Sequence, residues 1–481
     1  MQLISAGICK DLITTNTRSL LPGNIFGQLN QTRAEFTLIL LQRLVELGCR
    51  QPEVLRLLAI VWDCIRSLGY TFEVVLSSGS LPNDSAESNG QPFGVLSFDD
   101  VTYYRILLRL LFLALCAHTG NDGFFEEHQR AQTPSQASLE AEARTKPSPT
   151  SVSIILEIID QVIALGFRQL VVAIHERSPQ TVPDDIALLT ALLQTCLRAV
   201  GINSHHIIMG FFERYDTARV ATTLFSWSDK FAIDGDPVYG ELSMLFLLEV
   251  SSMPAMAEQL AIAGVLGHIS SASIATHIRR PNVSPFADGV GPQRCYSIWV
   301  RGILPLLLNM LTAVGASIAR EVALFLLQFP HLLSQSATAL DASLSASRSS
   351  AALESTSSTP GRATYPARIT YGMVAELHSL ALLTHILSAL RDSLTGIDDI
   401  PEVSWDAVGV VESAEQLLST RLVLRQRILP IGARELEWAR QKPLGSRERT
   451  CTTNGECENR LEEKIVEELR GIREVLGSGT D

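Results

Sequence analysis

Aromatic residues are scarce in this 481-residue chain, at 6%, and charged residues make up only 19% against 46% hydrophobic. The first shortage excludes a core built on large rings, so the interior must be aliphatic. The second excludes a disordered chain, which lacks the apolar surface needed to offset its backbone entropy. Basic residues are also short, 39 against 51 acidic, for a formal charge of −12. With no basic stripe to compensate, phosphate-backbone binding is excluded as the main task and no direct nucleic-acid partner is expected.

The eight cysteines (Cys9, Cys49, Cys64, Cys116, Cys196, Cys295, Cys451, Cys457) form no C-x-x-C pair. Neither a zinc ribbon nor a thioredoxin-type site can be built from them, and buried free thiols in helices are expected. A secretory leader is not legible, because the apolar stretch Leu3 to Cys9 is short and Lys10, Asp11 and Arg18 follow it. The sequons at Asn30, Asn83 and Asn282 therefore carry no weight. A membrane span needs roughly 20 predominantly apolar residues. The strongest candidate, Gly302 to Ala319, is uncharged but contains Pro305, Asn309 and Gly315 between Arg301 and Arg320. It reads as a buried helix, and no transmembrane segment is expected.

Catalytic motifs are missing as well: no HExxH, no GxSxG elbow and no phosphate loop. His378 and His385 share a helix face two turns apart, but a metal needs a third ligand. His205 and His206 are adjacent and diverge on a helix. The acidic group Asp398, Asp399, Glu402 and Asp406 surrounds Pro401, a natural first helical position, so it reads as N-terminal charge rather than a calcium site. Gly289-Val290-Gly291-Pro292-Gln293-Arg294 lacks the preceding strand and third glycine of a dinucleotide loop and reads as the entry to a helix. Phe26-Gly27 and Phe93-Gly94 are too few to make an FG-repeat protein. No enzyme, cofactor or metal is expected, and no partner-binding residue can be singled out.

What the chain does contain is helical periodicity. Val54, Leu57, Leu58, Val61, Ile65 and Leu68 line one face, with Arg56, Asp63 and Arg66 elsewhere. Leu38, Leu41 and Val45 repeat the pattern upstream, and Gly48 to Pro52 reads as the turn of a helical hairpin. Similar units follow at 99–118, 151–176, 184–199, 204–226, 238–277, 292–330, 371–392 and 402–440. No alternating strand pattern competes. The expected fold is all-α: a right-handed-type superhelical α-solenoid of HEAT- or armadillo-like hairpins over residues 1–476. Polar, turn-rich insertions fall near 77–97, 119–150, 334–366 and 441–457. A last helix, 458–476, carries the stripe Leu461, Ile465, Leu469, Ile472, Leu476 and is expected to cap the stack; the alternative is a partner-binding or self-associating helix.

Five ordered blocks carry a family likeness. YGELSMLFLLEVSSMPAMAEQLAIAGVLGHI (239–269) and SPFADGVGPQRCYSIWVRGILPLLLNML (284–311) come first. AELHSLALLTHILSAL (375–390), DIPEVSWDAVGVVES (399–413) and CENRLEEKIVEELRGIREVLG (457–477) follow. In this order they resemble the C-terminal tail of the fungal nucleoporin 188/192 family, inner-ring scaffold nucleoporins. The likeness is clearest over 238–477. It implies a structural constituent of the nuclear pore complex at the nuclear envelope, corresponding to the C-terminal part of a longer solenoid. It also implies partners: amphipathic helices of a linker nucleoporin and other inner-ring nucleoporins. Its transport-receptor-like shape adds FG-repeat contact, and the alternative function is a soluble transport-receptor-like solenoid that binds FG repeats or cargo.

Overall fold

The computed structural model describes residues 23–46, 53–78, 100–119, 149–340, 368–393, 400–443 and 457–477. Among these residues the secondary structure is helical, with two isolated bridges, Ile233 to Asp236 and Ile369 to Ile428, and no strand. The chain packs as two compact units, residues 1–221 and 222–481. The sequence places no boundary there, since the division falls inside a continuous helix, Thr217–Trp227.

The first unit begins with α1 (Gly23–Glu46), α2 (Glu53–Leu68), α3 (Phe72–Ser78) and α4 (Asp100–Thr119). On α2 the expected stripe is the buried one: Leu57, Leu58, Val61 and Ile65 are each at most 4% exposed. On α1 the buried face is centred on Ala34, Thr37 and Leu41, while Leu38 and Val45 are only half-buried. The buried face is thus displaced from the hydrophobic stripe toward the small residues Ala34 and Thr37, since burial follows the neighbouring helices and not hydrophobicity alone. Gly69 ends α2 at φ +63, a left-handed turn that favours glycine.

α4 is buried on most of its circumference and packs against α1, α2 and a later helix, α7 (Pro183–Val200). Between them run α5 (Pro149–Ile158), a π-helical segment Ile159–Ala164, and α6 (Leu165–His175). α8 (His205–Arg214) follows, and the unit ends within α9 (Thr217–Trp227). Pro183 starts α7 where a missing N–H costs nothing, with Asp184 and Asp185 in the same turn.

The second unit replaces the expected 238–277 hairpin with four short helices: α10 (Val238–Ser251), α11 (Pro254–Ile262), α12 (Val265–Ser271) and α13 (Ser273–Ile278). Pro254 and Gly264, the latter at φ +66, punctuate them. α14 (Val290–Ser297), a second π segment Ile298–Ile303 and α15 (Leu304–Val314) then form one long helix. Gly315, at φ +69, breaks it before α16 (Ala316–Leu326) and α17 (Pro330–Ala337). The uncharged run 302–319 is thus not one helix. Helices 100–119, 290–314 and 371–393 are long and apolar enough to cross a bilayer by length and composition. Each packs against neighbouring helices of its unit.

The unit closes with α18 (Tyr371–Ser393), α19 (Ala407–Ser419), α20 (Arg421–Arg427), α21 (Gly432–Arg440) and α22 (Arg460–Gly477). α22 lies against α18, α19 and α21, and its Leu461, Ile465, Leu469 and Ile472 are at most 1% exposed. Leu476 is only partly buried, whereas Val466, off the expected stripe, is buried. At roughly 1.5–3 kcal/mol per fully buried aliphatic side chain, this face stabilises the unit substantially before ordering entropy is subtracted. Three expected insertions are trimmed by helix: α3 extends to Ser78, α4 reaches Thr119 and α5 starts at Pro149, and α17 occupies 330–337.

Candidate functional site

The polar groups inside each unit are arranged as structural staples. In the first unit, Arg105 on α4 binds Asp185 on α7 with Nε to Oδ1 at 2.8 Å and Nη2 to Oδ2 at 2.7 Å. Its Nη2 also donates to the Gln180 carbonyl at 2.6 Å. The Asp185 side chain is 3% exposed, so this fork neutralises a charge that would otherwise be costly to bury. Trp62 donates its indole N–H to Glu157 at 2.8 Å, and Tyr70 donates to Asp100 at 2.7 Å.

In the second unit Glu241, buried on α10, accepts from Arg294, from Ser297 Oγ at 2.6 Å and from Arg301 at 3.0 Å. Arg294 also grips Asp236 through two bonds of 2.9 Å. Paired hydrogen bonds to Asp236 and the charge of Glu241 push the Arg294 pKa further up, so it stays cationic. Nearby, Gly302 in the π segment faces Met244 on α10. A Cβ at 302 would sit 2.7 Å from the Met244 Cβ, so glycine permits that helix crossing.

Glu376 on α18 is buried and accepts from Tyr296 Oη at 2.6 Å and Trp299 Nε1 at 2.9 Å. Burial pushes its carboxyl up to about 7, and the two donors pull against that shift. The Trp438 ring on α21 carries two cations, the Arg434 guanidinium 4.7 Å and the Lys464 ammonium 4.8 Å from its centre. Arg425 clamps Glu462 and Glu458 at the start of α22, where Asn459 accepts from the Glu462 N–H at 2.9 Å.

None of the sequence candidates converges on a reaction centre. His378 Nδ1 lies 2.5 Å from Glu468, while His385 is exposed two turns away. His205 is half-buried and His206 exposed, on different sides of α8. Among the described residues no group of three or more His, Cys, Asp or Glu side chains could hold a metal ion. Asp398 and Asp399 lie outside the described residues. Glu402 is 3.9 Å from Arg391, and Asp406 caps α19 by accepting from the Gly409 N–H at 3.0 Å.

That cap corrects the expected helix start: α19 begins at Ala407, not Pro401. An aspartate that satisfies an orphan N–H outweighs the proline signal, and Trp405, bonded to Ser336 Oγ at 3.2 Å, anchors the extended stretch before it. Gly289, at φ +113, precedes α14, whose Arg294 is committed to Asp236 and Glu241. Phe26-Gly27 falls in α1, and Phe93-Gly94 lies outside the described residues. Cys64, Cys116, Cys196 and Cys295 are buried free thiols and Cys457 is half-buried; Cys9, Cys49 and Cys451 lie outside.

Sequence reading missed the staples, because their members stand tens of residues apart and each looks like an ordinary surface charge. The one local signal was a carboxylate inside an apolar helical face, as at Glu241 and Glu376.

Comparison with known proteins agrees with an interaction scaffold. The family model described as the nuclear pore protein NUP188 C-terminal domain matches residues 83–476. Nucleoporin NUP188 of Chaetomium thermophilum is 37% identical over 503 aligned positions, covering 98% of this chain and 24% of that protein. Nucleoporin nup184 of Schizosaccharomyces pombe is 36% identical over 156 positions, covering 31% of this chain and 9% of that one. This chain therefore spans about a quarter of the length of the Chaetomium relative. A solved structure, Nup188 residues 1445–1827 from Myceliophthora thermophila, superposes with a TM-score of 0.61 at 39% identity. The match covers 84% of this chain and 98% of that structure. An all-helical chain whose charges staple helices together, matched over 83–476 by that family, belongs to the NUP188 family of nuclear pore scaffold nucleoporins.

Proposed function

We propose that this chain is an inner-ring scaffold element of the nuclear pore complex that holds short amphipathic helices of linker nucleoporins between its own stacked helices, and that it supports nucleocytoplasmic transport without catalysing a reaction. The carrying observation is the combination of the family match over 83–476 with interiors whose buried carboxylates are engaged by structural donors. A carboxylate held by fixed arginine, tyrosine or indole donors fixes helix geometry and has no free proton-transfer role. Grooves between packed helices suit helical ligands, whose i, i+3, i+4 anchors enter successive gaps.

The test is binding of the purified chain to linker-nucleoporin segments, followed by calorimetry, with FG-repeat peptides measured in parallel. Saturable binding of a linker segment is expected. A folded chain that binds none of them overturns the reading, and binding of FG peptides alone would favour a transport-receptor role instead.

A further inference from the structure

Several buried charges in this protein are held by opposite ones: Asp185 by Arg105, Glu241 by Arg294 and Arg301, Glu462 by Arg425. Lys464 on α22 departs from that rule. It is 4% exposed, yet among the described residues no carboxylate forms an ion pair with it. Lysine is almost never buried so fully without a counter-charge. Its ammonium lies 4.8 Å from the centre of the Trp438 ring, and the Arg434 guanidinium lies 4.7 Å from the same centre. Arg434 is exposed and likewise has no ion pair among the described residues.

The carboxylates around these two cations are engaged elsewhere or turned to solvent. Glu468 contacts His378 and Tyr371, Glu437 accepts from Gln441 Nε2 at 3.1 Å, and Glu435 accepts from the Ile431 N–H at 2.8 Å. Glu467, three residues beyond Lys464, is exposed. Burial, then the charges of Arg460 and Arg434, pushes the Lys464 pKa down, with Glu467 and Glu468 pulling against the shift. Burial and the charge of Arg301 act on Arg434 in the same direction, against Tyr371 and Glu437. An aromatic face offsets only part of what a desolvated cation costs. Two cations gathered on one indole without a counter-ion are therefore arranged for an anion from outside the chain.

We propose that Lys464 and Arg434 form a receptor for a phosphate monoester, carried on a phosphorylated serine or threonine of a partner polypeptide and seated at the edge of the Trp438 ring. Two unpaired cations match a single group that bears about −1.5 to −2 charges near neutral pH, where a carboxylate brings only one. The guanidinium offers a planar fork to two phosphate oxygens, and the ammonium supplies a point charge to a third. The source is a polypeptide because α21 exposes one large apolar side chain, Leu436, and α22 none among the described residues. A membrane-binding surface needs a broad apolar face. The site gives the scaffold a contact that phosphorylation of the partner switches on, and it does not rest on the linker-helix reading.

The test titrates the full chain at constant ionic strength with the tripeptide acetyl-Ala-phosphoserine-Ala-amide, its unphosphorylated counterpart, and vesicles containing phosphatidylinositol phosphate, following tryptophan fluorescence. A saturable change with the phosphorylated tripeptide and none with its counterpart is expected. Arg434→Gln and Lys464→Met should each weaken that binding at least tenfold. Lys464→Met should also raise the melting temperature of the free chain, because it removes a buried charge that has no counter-ion. Absence of binding to the phosphorylated tripeptide, or wild-type affinity in both variants, overturns the proposal. A lowered melting temperature for Lys464→Met would make the lysine a structural partner of Trp438 and overturns it as well. Vesicle binding without tripeptide binding, lost in the same variants, would assign the cations to a lipid headgroup instead.

Discussion

Tyr296 donates a 2.6 Å hydrogen bond to Glu376 across 80 residues of sequence, and among the described residues no cation forms an ion pair with that carboxylate. Trp299 supplies the second donor, so a potential charge is held by two neutral groups in a buried site. Burial is the larger influence and raises the carboxyl from 4.5 to about 7.

A pH dependence follows from that shift. The folded state holds this proton more tightly than the unfolded state. The contribution of Glu376 is therefore best below pH 4.5 and declines as pH rises through about 7. The full difference is on the order of 3 kcal/mol. Glu376→Gln, which cannot ionise, should gain stability relative to wild type between pH 5.5 and pH 8.5. Urea unfolding at both pH values checks this; parallel profiles for the two proteins would remove the argument.

Gly471 and His378 form a second pair. A Cβ at 471 would lie 2.6 Å from the imidazole Cε1 and Nε2, and the ring cannot swing away without breaking its Nδ1 contact to Glu468. Gly471→Ala gains helix propensity of up to ~1 kcal/mol but overpacks a tight crossing at about 1–3 kcal/mol. The expected net is a destabilisation of about 1 kcal/mol. In the His378→Ala background the same change should be neutral or stabilising, and a double-mutant cycle by chemical denaturation measures the coupling.

Arg105 and Asp185 test the staple role in the first unit. Arg105→Ala leaves the nearly buried Asp185 carboxylate without its fork, a loss of about 3–5 kcal/mol for a broken buried pair. Because the pair is shielded, 0.5 M salt should change the loss little. A variant within roughly 0.5 kcal/mol of wild type in denaturant titration would mean that Asp185 is solvated.

The thiols give a chemical readout. Burial pushes Cys64, Cys116 and Cys295 up to about 11 and raises Cys196 further, so thiolate is scarce at neutral pH. Site-resolved alkylation at pH 8 should modify Cys457 before these four, with Cys196 labelled only on unfolding. Rapid native-state labelling of Cys196 would contradict its complete burial.

Helix positions were legible because their signals are local. The α2 stripe and most of the apolar face of α22 each lie within a few turns of one segment. The displaced face of α1 and the late start of α19 were less legible, because each depends on what packs against it.

By itself the amino-acid sequence determined an all-helical chain with an aliphatic interior, no legible catalytic motif and the likeness of a pore scaffold. Hydrophobic spacing and residue order carry all of that along the chain. Only the tertiary structure decided which charges are buried and who holds them: Glu376 between Tyr296 and Trp299, Asp185 under Arg105, and Glu241 beneath two arginines. It also showed which glycines admit a neighbour, as Gly302 does Met244 and Gly471 does His378. The physical reason is that desolvation and close packing act on three-dimensional neighbours, which here lie more than fifty residues apart.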